Sequence, residues 1–140
     1  MVQVAFYKGK TRFFNKAVAW WTRGPYSHCE LIVDGKSYSA SFLDGGVRVK
    51  EITYDPEHWD IVDVPWADAE KAVAWFVTHM GQKYDVIGLV GFVARRVEDD
   101  RSKYFCSEAV SAALGFADGW RFDPNTFYPS LVLANEAAKK

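Results

Sequence analysis

Apolar and polar positions alternate weakly from Val2 to Tyr7, the period-two pattern of a short strand. From Arg12 to Thr22 the period lengthens, and Phe13, Phe14, Ala17, Trp20 and Trp21 gather on one side of a predicted helix that Gly24-Pro25 stops. Two strands are predicted next, Ser27 to Val33 and Lys36 to Phe42, joined by Asp34-Gly35. Asp-Gly favours a two-residue hairpin because both turn positions need positive φ. Asp44-Gly45-Gly46 marks a second turn into a strand over Val47 to Ile52, and Trp59 to Pro65 supplies another. Asp68 to Met80 places Ala69, Ala72, Val73, Phe76 and Met80 at helical spacing, with Gly81 as its stop. Tyr84 to Ala94 reads as a helix despite Gly88 and Gly91, Arg95 to Lys103 as a charged loop, and Cys106 to Leu114 as a helix ended by Gly115. Pro129 to Ala138 reads as a last helix. No repeat or linker interrupts this series, so one domain over residues 1–140 is expected, and its order of elements predicts an α+β fold.

The hairpin permits a register argument. A two-residue turn sets Val33 opposite Lys36, and hence Glu30 opposite Ser39 and His28 opposite Ser41. One face of the pair then carries Cys29, Leu31, Val33, Tyr38, Ala40 and Phe42, while the other carries His28, Glu30, Ser37, Ser39 and Ser41. The polar face fits two readings. It is an ordinary solvated surface, or a site where a carboxylate or hydroxyl orients a basic imidazole. Cys29 points to the apolar face and reads as a small core residue.

Cys106 opens a predicted helix, where the positive end of the dipole and unpaired N–H groups favour thiolate over thiol. The same N–H groups can hold an oxyanion once an acyl group is attached. A buried cysteine without chemistry is the other reading of this position. Ser107 and Glu108 read as capping or first-turn residues. His58, in a turn, and His79, near a helix end, read as structural or surface residues, and Asp85 as a helix cap or a site-lining acid.

Composition narrows the classes. With 49% hydrophobic and 16% aromatic residues the chain has enough apolar surface to fold. Its 17 Lys and Arg against 18 Asp and Glu leave no basic excess for nucleic acid. No stretch reaches the roughly 20 apolar residues that span a bilayer. Lys8, Lys10 and Arg12 interrupt the start before a signal-peptide region forms, so cytoplasmic synthesis is expected. Two cysteines are too few for a disulfide scaffold, and no zinc or calcium spacing is present, so neither metal nor cofactor is expected.

Pro25-Tyr26-Ser27-His28 entering a strand, then Lys83-Tyr84-Asp85, then Tyr104-Phe105-Cys106-Ser107-Glu108 entering a helix resemble a known family. It is the circularly permuted branch of the NlpC-type papain-like cysteine hydrolases, in which the His strand precedes the Cys helix. The resemblance covers Phe6 to Leu114 and implies an antiparallel papain-like sheet packed against helices, with Cys106 as nucleophile and His28 as general base. The family's third polar residue usually lies on the strand beside the histidine, which here offers Ser37, Ser39 and Ser41. Glu30, on the histidine strand itself, is preferred because a carboxylate stabilises imidazolium better than a hydroxyl does. Tyr26, Ser39, Ser41, Asp85 and Tyr104 would line the site, and the N–H groups of Cys106 and Ser107 would hold the oxyanion.

The implied reaction is acyl transfer through a thioester, on cell-wall peptides as an amidase or peptidase. A lipid or ester acyl hydrolase or acyltransferase of the same fold is the alternative, and a non-catalytic module, for instance in a phage particle, is another. The small size resembles stand-alone phage or bacterial members. Reaching peptidoglycan would then need a holin, a secretion apparatus or incorporation into a virion.

Overall fold

The computed structural model describes residues 1–9, 23–41, 43–84 and 103–140. The helix expected over Arg12 to Thr22, Asp85, the rest of the helix expected up to Ala94 and most of the loop after it lie outside these residues. One antiparallel sheet is built from β1 (Val2–Tyr7), β2 (His28–Val33), β3 (Lys36–Ser41), β4 (Gly46–Lys50) and β5 (Trp59–Asp63), in the order β4-β3-β2-β1-β5. Helices α1 (Ala69–Thr78), α2 (Cys106–Ala113) and α3 (Pro124–Ala137) complete the described fold, with a short parallel pair, β6 (Lys83–Tyr84) and β7 (Lys103–Tyr104), between α1 and α2. The class is α+β. Among the described residues no helix is long and apolar enough to cross a membrane.

The hairpin forms with the expected register, Val33 opposite Lys36, Ile32 opposite Ser37 and Leu31 opposite Tyr38. Asp34 at φ 49° and Gly35 at φ 76° supply the two left-handed positions of the turn. The apolar face of the sheet, with Val4, Phe6, Cys29, Leu31, Tyr38 and Ala40, packs against Ala72 and Phe76 of α1, Ala109 and Val110 of α2, and Phe127 and Leu131 of α3. Phe6, Phe76 and Phe127 are fully buried, each side chain contributing roughly 1.5–3 kcal/mol relative to exposure.

Three elements differ from expectation. Tyr84 lies in β6 rather than starting a helix, held in register with Tyr104. Lys103, expected in the loop, lies in β7. The last helix starts at Pro124, not Pro129: Asp123 accepts from Asn125 and Thr126 N–H in a capping box, and Pro124 fits the first turn, where a missing N–H costs nothing. Pro129 is therefore inside a helix whose other turns outweigh its missing N–H.

β4 is fixed from beyond the sheet. Val47 N–H donates to Gln82 O at 2.7 Å and Gly81 N–H to Val47 O at 3.1 Å. Gly46 has φ +144°, and a Cβ there would collide with the Gln82 carbonyl. Gly46→Ala should therefore lower unfolding stability by about 1–3 kcal/mol, a typical cost of a forced backbone conformation. An unchanged denaturation midpoint would mean that the contact is not rigid.

Candidate active site

Alternation along β2 turns Cys29 toward the helices and His28 and Glu30 to the other face. That second face is not a solvated surface. Glu30 is 2% exposed, and Ser37, Ser39 and Ser41 are buried with it. Burying a carboxylate is costly unless it is paired and hydrogen-bonded, and Glu30 is both. His28 Nε2 lies 2.9 Å from Glu30 Oε1. Arg48 grips both oxygens, Nη2 to Oε1 at 2.7 Å and Nη1 to Oε2 at 3.0 Å, and the Ser37 hydroxyl donates to Oε2. Burial pushes the Glu30 pKa up, but the His28 and Arg48 bonds outweigh it and hold the carboxyl below its usual range.

Cys106 is the first residue of α2, and the cap residue Phe105 supplies no side-chain hydrogen bond to the first turn. The first-turn N–H groups of α2, those of Cys106 and Ser107 among them, therefore carry no side-chain cap from Phe105. α2 packs against the apolar face of β2, which brings Cys106 onto Cys29, while His28, at the first position of β2, reaches the same end of the helix. Cys106 is held well below the ordinary thiol range by a hydrogen bond from the Cys29 thiol, against burial, and by the charge and hydrogen bond of His28. For His28, burial acts downward, but the Cys106 charge and hydrogen bond and then Glu30 raise the pKa to about 10. Both shifts favour the thiolate–imidazolium form of the pair. With Nε2 engaged by Glu30, Nδ1 is the nitrogen left to serve Cys106.

Cys29 needs a correction. It is fully buried in the apolar core as expected, but its thiol also belongs to the site. Burial pushes its own pKa up, so it stays protonated and can donate to the thiolate. Ser107 lies in the first turn of α2, as expected, and its hydroxyl donates to Phe122 O at 2.5 Å.

The remaining candidates fall in different places. Ser39 donates to Cys29 O at 2.7 Å, and Ser41 pairs with Gly46. Tyr26 is a clamp for the chain entering β2. Its N–H and C=O meet the Asn125 side chain at 2.8 and 2.7 Å, and its hydroxyl donates to Asp60 at 2.6 Å. Gly24 makes room for this, since a Cβ there would strike Asn125 Oδ1. Tyr104 is placed by its backbone in β7, two residues before Cys106. His58 bonds Asp55 at 3.2 Å, and His79 stacks on Trp75 at 4.0 Å.

Arg48, Cys29 and Trp59 are the site members that sequence reasoning missed. Arg48 was findable, because Val47-Arg48-Val49 repeats the alternation and the Asp44-Gly45-Gly46 turn puts it across from Ser39. The Trp59 ring stands edge-on to His28 with centroids 6.4 Å apart. It also lines a cavity of about 420 Å³ with Tyr54, Pro56, Asp60, Ile61 and Tyr128. Among the described residues, no group of three His, Cys, Asp or Glu is placed to hold a metal ion. Compared with models of known protein families the chain matches none, and it matches none of the curated proteins either.

Proposed function

We propose that the protein is a cysteine hydrolase of amide or ester bonds, working through Cys106, His28 and Glu30, with the circularly permuted papain-like arrangement of the NlpC-type hydrolases. The observation that carries this reading is the order thiol, imidazole, carboxylate. Cys106 at a helix start meets His28, whose other ring nitrogen is 2.9 Å from Glu30. A purely structural cysteine has no use for either partner.

The Cys106 thiolate attacks the substrate carbonyl carbon, forming a C–S bond and an oxyanion that the Cys106 and Ser107 N–H groups can receive. As the tetrahedral intermediate collapses, the His28 imidazolium gives its proton to the departing amine or alcohol. His28, now neutral, takes a proton from water, which attacks the thioester. The acid leaves and the thiolate–imidazolium pair is restored. The cavity lined by Trp59 offers room for part of the substrate, and Trp59 links it to His28, with ring centroids 6.4 Å apart. Cell-wall peptides and lipid or other acyl esters are both substrate classes of the family that the sequence resembles.

The test is the ultraviolet absorbance of the thiolate followed against pH, with Cys106→Ala as the blank. Cys106 should ionise well below the value near 8.5 of a free cysteine. In His28→Ala the curve should move to higher pH, since the partner charge is gone. Titration like a free thiol in the wild type, or a curve that His28→Ala leaves in place, would sink the proposal and favour a non-catalytic module.

A further inference from the structure

Glu30 does not face His28 alone. By strand register Arg48 lies opposite Ser39, and its side chain, 12% exposed, crosses over that small residue to reach both Glu30 oxygens. The guanidinium also extends the other way, Nε to Asp44 Oδ2 at 2.9 Å, and Asp44 in turn bonds Lys50. Charges therefore alternate along one line from imidazolium through Glu30, Arg48 and Asp44 to Lys50. Only arginine has the planar fork that grips a carboxylate with two nitrogens while a third serves another acid.

We propose that Arg48 is a positioning residue of the site: it fixes both oxygens of Glu30 and takes up part of its charge, so that His28 meets an oriented, partly neutralised carboxylate. This rests on the reading of Cys106 and His28 given above. An isolated Glu30, acting with its full charge, would hold the imidazolium proton too firmly for release to a leaving group. The titratable groups packed around the pair include Cys29 of β2, buried Glu108 in the first turn of α2, Asp123 at the cap of α3, whose pKa burial and the Cys106 charge raise, and Tyr54 beyond β4, raised by burial and by Glu30. None of these bonds both Glu30 oxygens.

The experiment titrates wild type, Arg48→Met and Arg48→Lys, following the thiolate by absorbance and His28 by its ring-nitrogen resonances. With the full Glu30 charge acting on His28, Arg48→Met should keep the imidazolium to higher pH, its deprotonation moving up by about one pH unit. Arg48→Lys, which retains a charge but cannot hold both oxygens, should move the same way by less, and it decides the matter if Arg48→Met does not fold. A packing role alone would lower the melting temperature and leave both titrations in place, which would overturn the assignment. So would a downward shift, because it would mean that Glu30 had become protonated. Should wild-type Cys106 itself titrate as an ordinary thiol, the reading of the active site fails first, and that outcome is separate from an unshifted Arg48 variant.

Discussion

Cys106→Ala is expected to remove turnover altogether, a loss of about 10⁶-fold if the thiol acts as other catalytic nucleophiles do. The fold should survive. Cys106 is small and buried among Ala109, Val110 and Cys29 in the shared core, so losing one sulfur leaves a modest void. The screen should use cell-wall muropeptides and acyl esters of several chain lengths, which also separates a peptide amidase from a lipid-directed hydrolase. Wild-type activity in Cys106→Ala on any substrate that the protein cleaves would refute the nucleophile assignment. Cys29→Ala, in the same assay, should keep the reaction and alter its pH dependence, because that thiol supports the Cys106 thiolate without bonding to substrate.

Glu30→Gln carries the second large effect, a fall of about 10²–10⁴ in kcat, with KM little changed. The amide keeps an oxygen for His28 but loses the charge that stabilises imidazolium. Ser39→Ala and Ser41→Ala should cost much less, since a neutral hydrogen bond contributes about 1 kcal/mol and the Ser39 hydroxyl is spent on Cys29 O. If either serine variant is crippled while Glu30→Gln works normally, the third residue is on β3. Stability adds an independent check. The Glu30 pKa is depressed in the fold, so its contribution is present above the unfolded value near 4.3 and is lost as pH falls through the folded one. Melting temperatures should therefore fall more steeply in acid for the wild type than for Glu30→Gln.

The sheet was legible because its signals are local. Asp34-Gly35 fixes a turn, the turn fixes a register, and alternation assigns His28 and Glu30 to one face and Cys29 to the other. The site itself was legible only in part. Arg48 reaches Glu30 across an intervening strand, so joining residues 30 and 48 takes two turn registers in succession. The relation of Cys29 to Cys106 depends on how α2 lies across β2, a matter of tertiary packing that periodicity does not encode. Alternation alone also left open a solvated polar face, because exposure depends on what lies above it. The start of α3 at Pro124 was written in Asp123-Pro124 and Thr126, a capping pattern overshadowed by Pro129 as the apparent helix boundary.

The Asn125 clamp on Tyr26 joins positions 99 residues apart in the chain. A ribosome releases residue 28 long before residue 125, so a growing chain carries the histidine without the amide that fixes the backbone two residues before it. Contacts of such long sequence separation form late, after the local hairpin. Until α3 docks, His28 is held by its pairing with β1 and by Glu30, while the backbone two residues before it lacks its clamp. A partly synthesised chain would present His28 on a less firmly anchored segment, and docking of α3 would complete that anchoring.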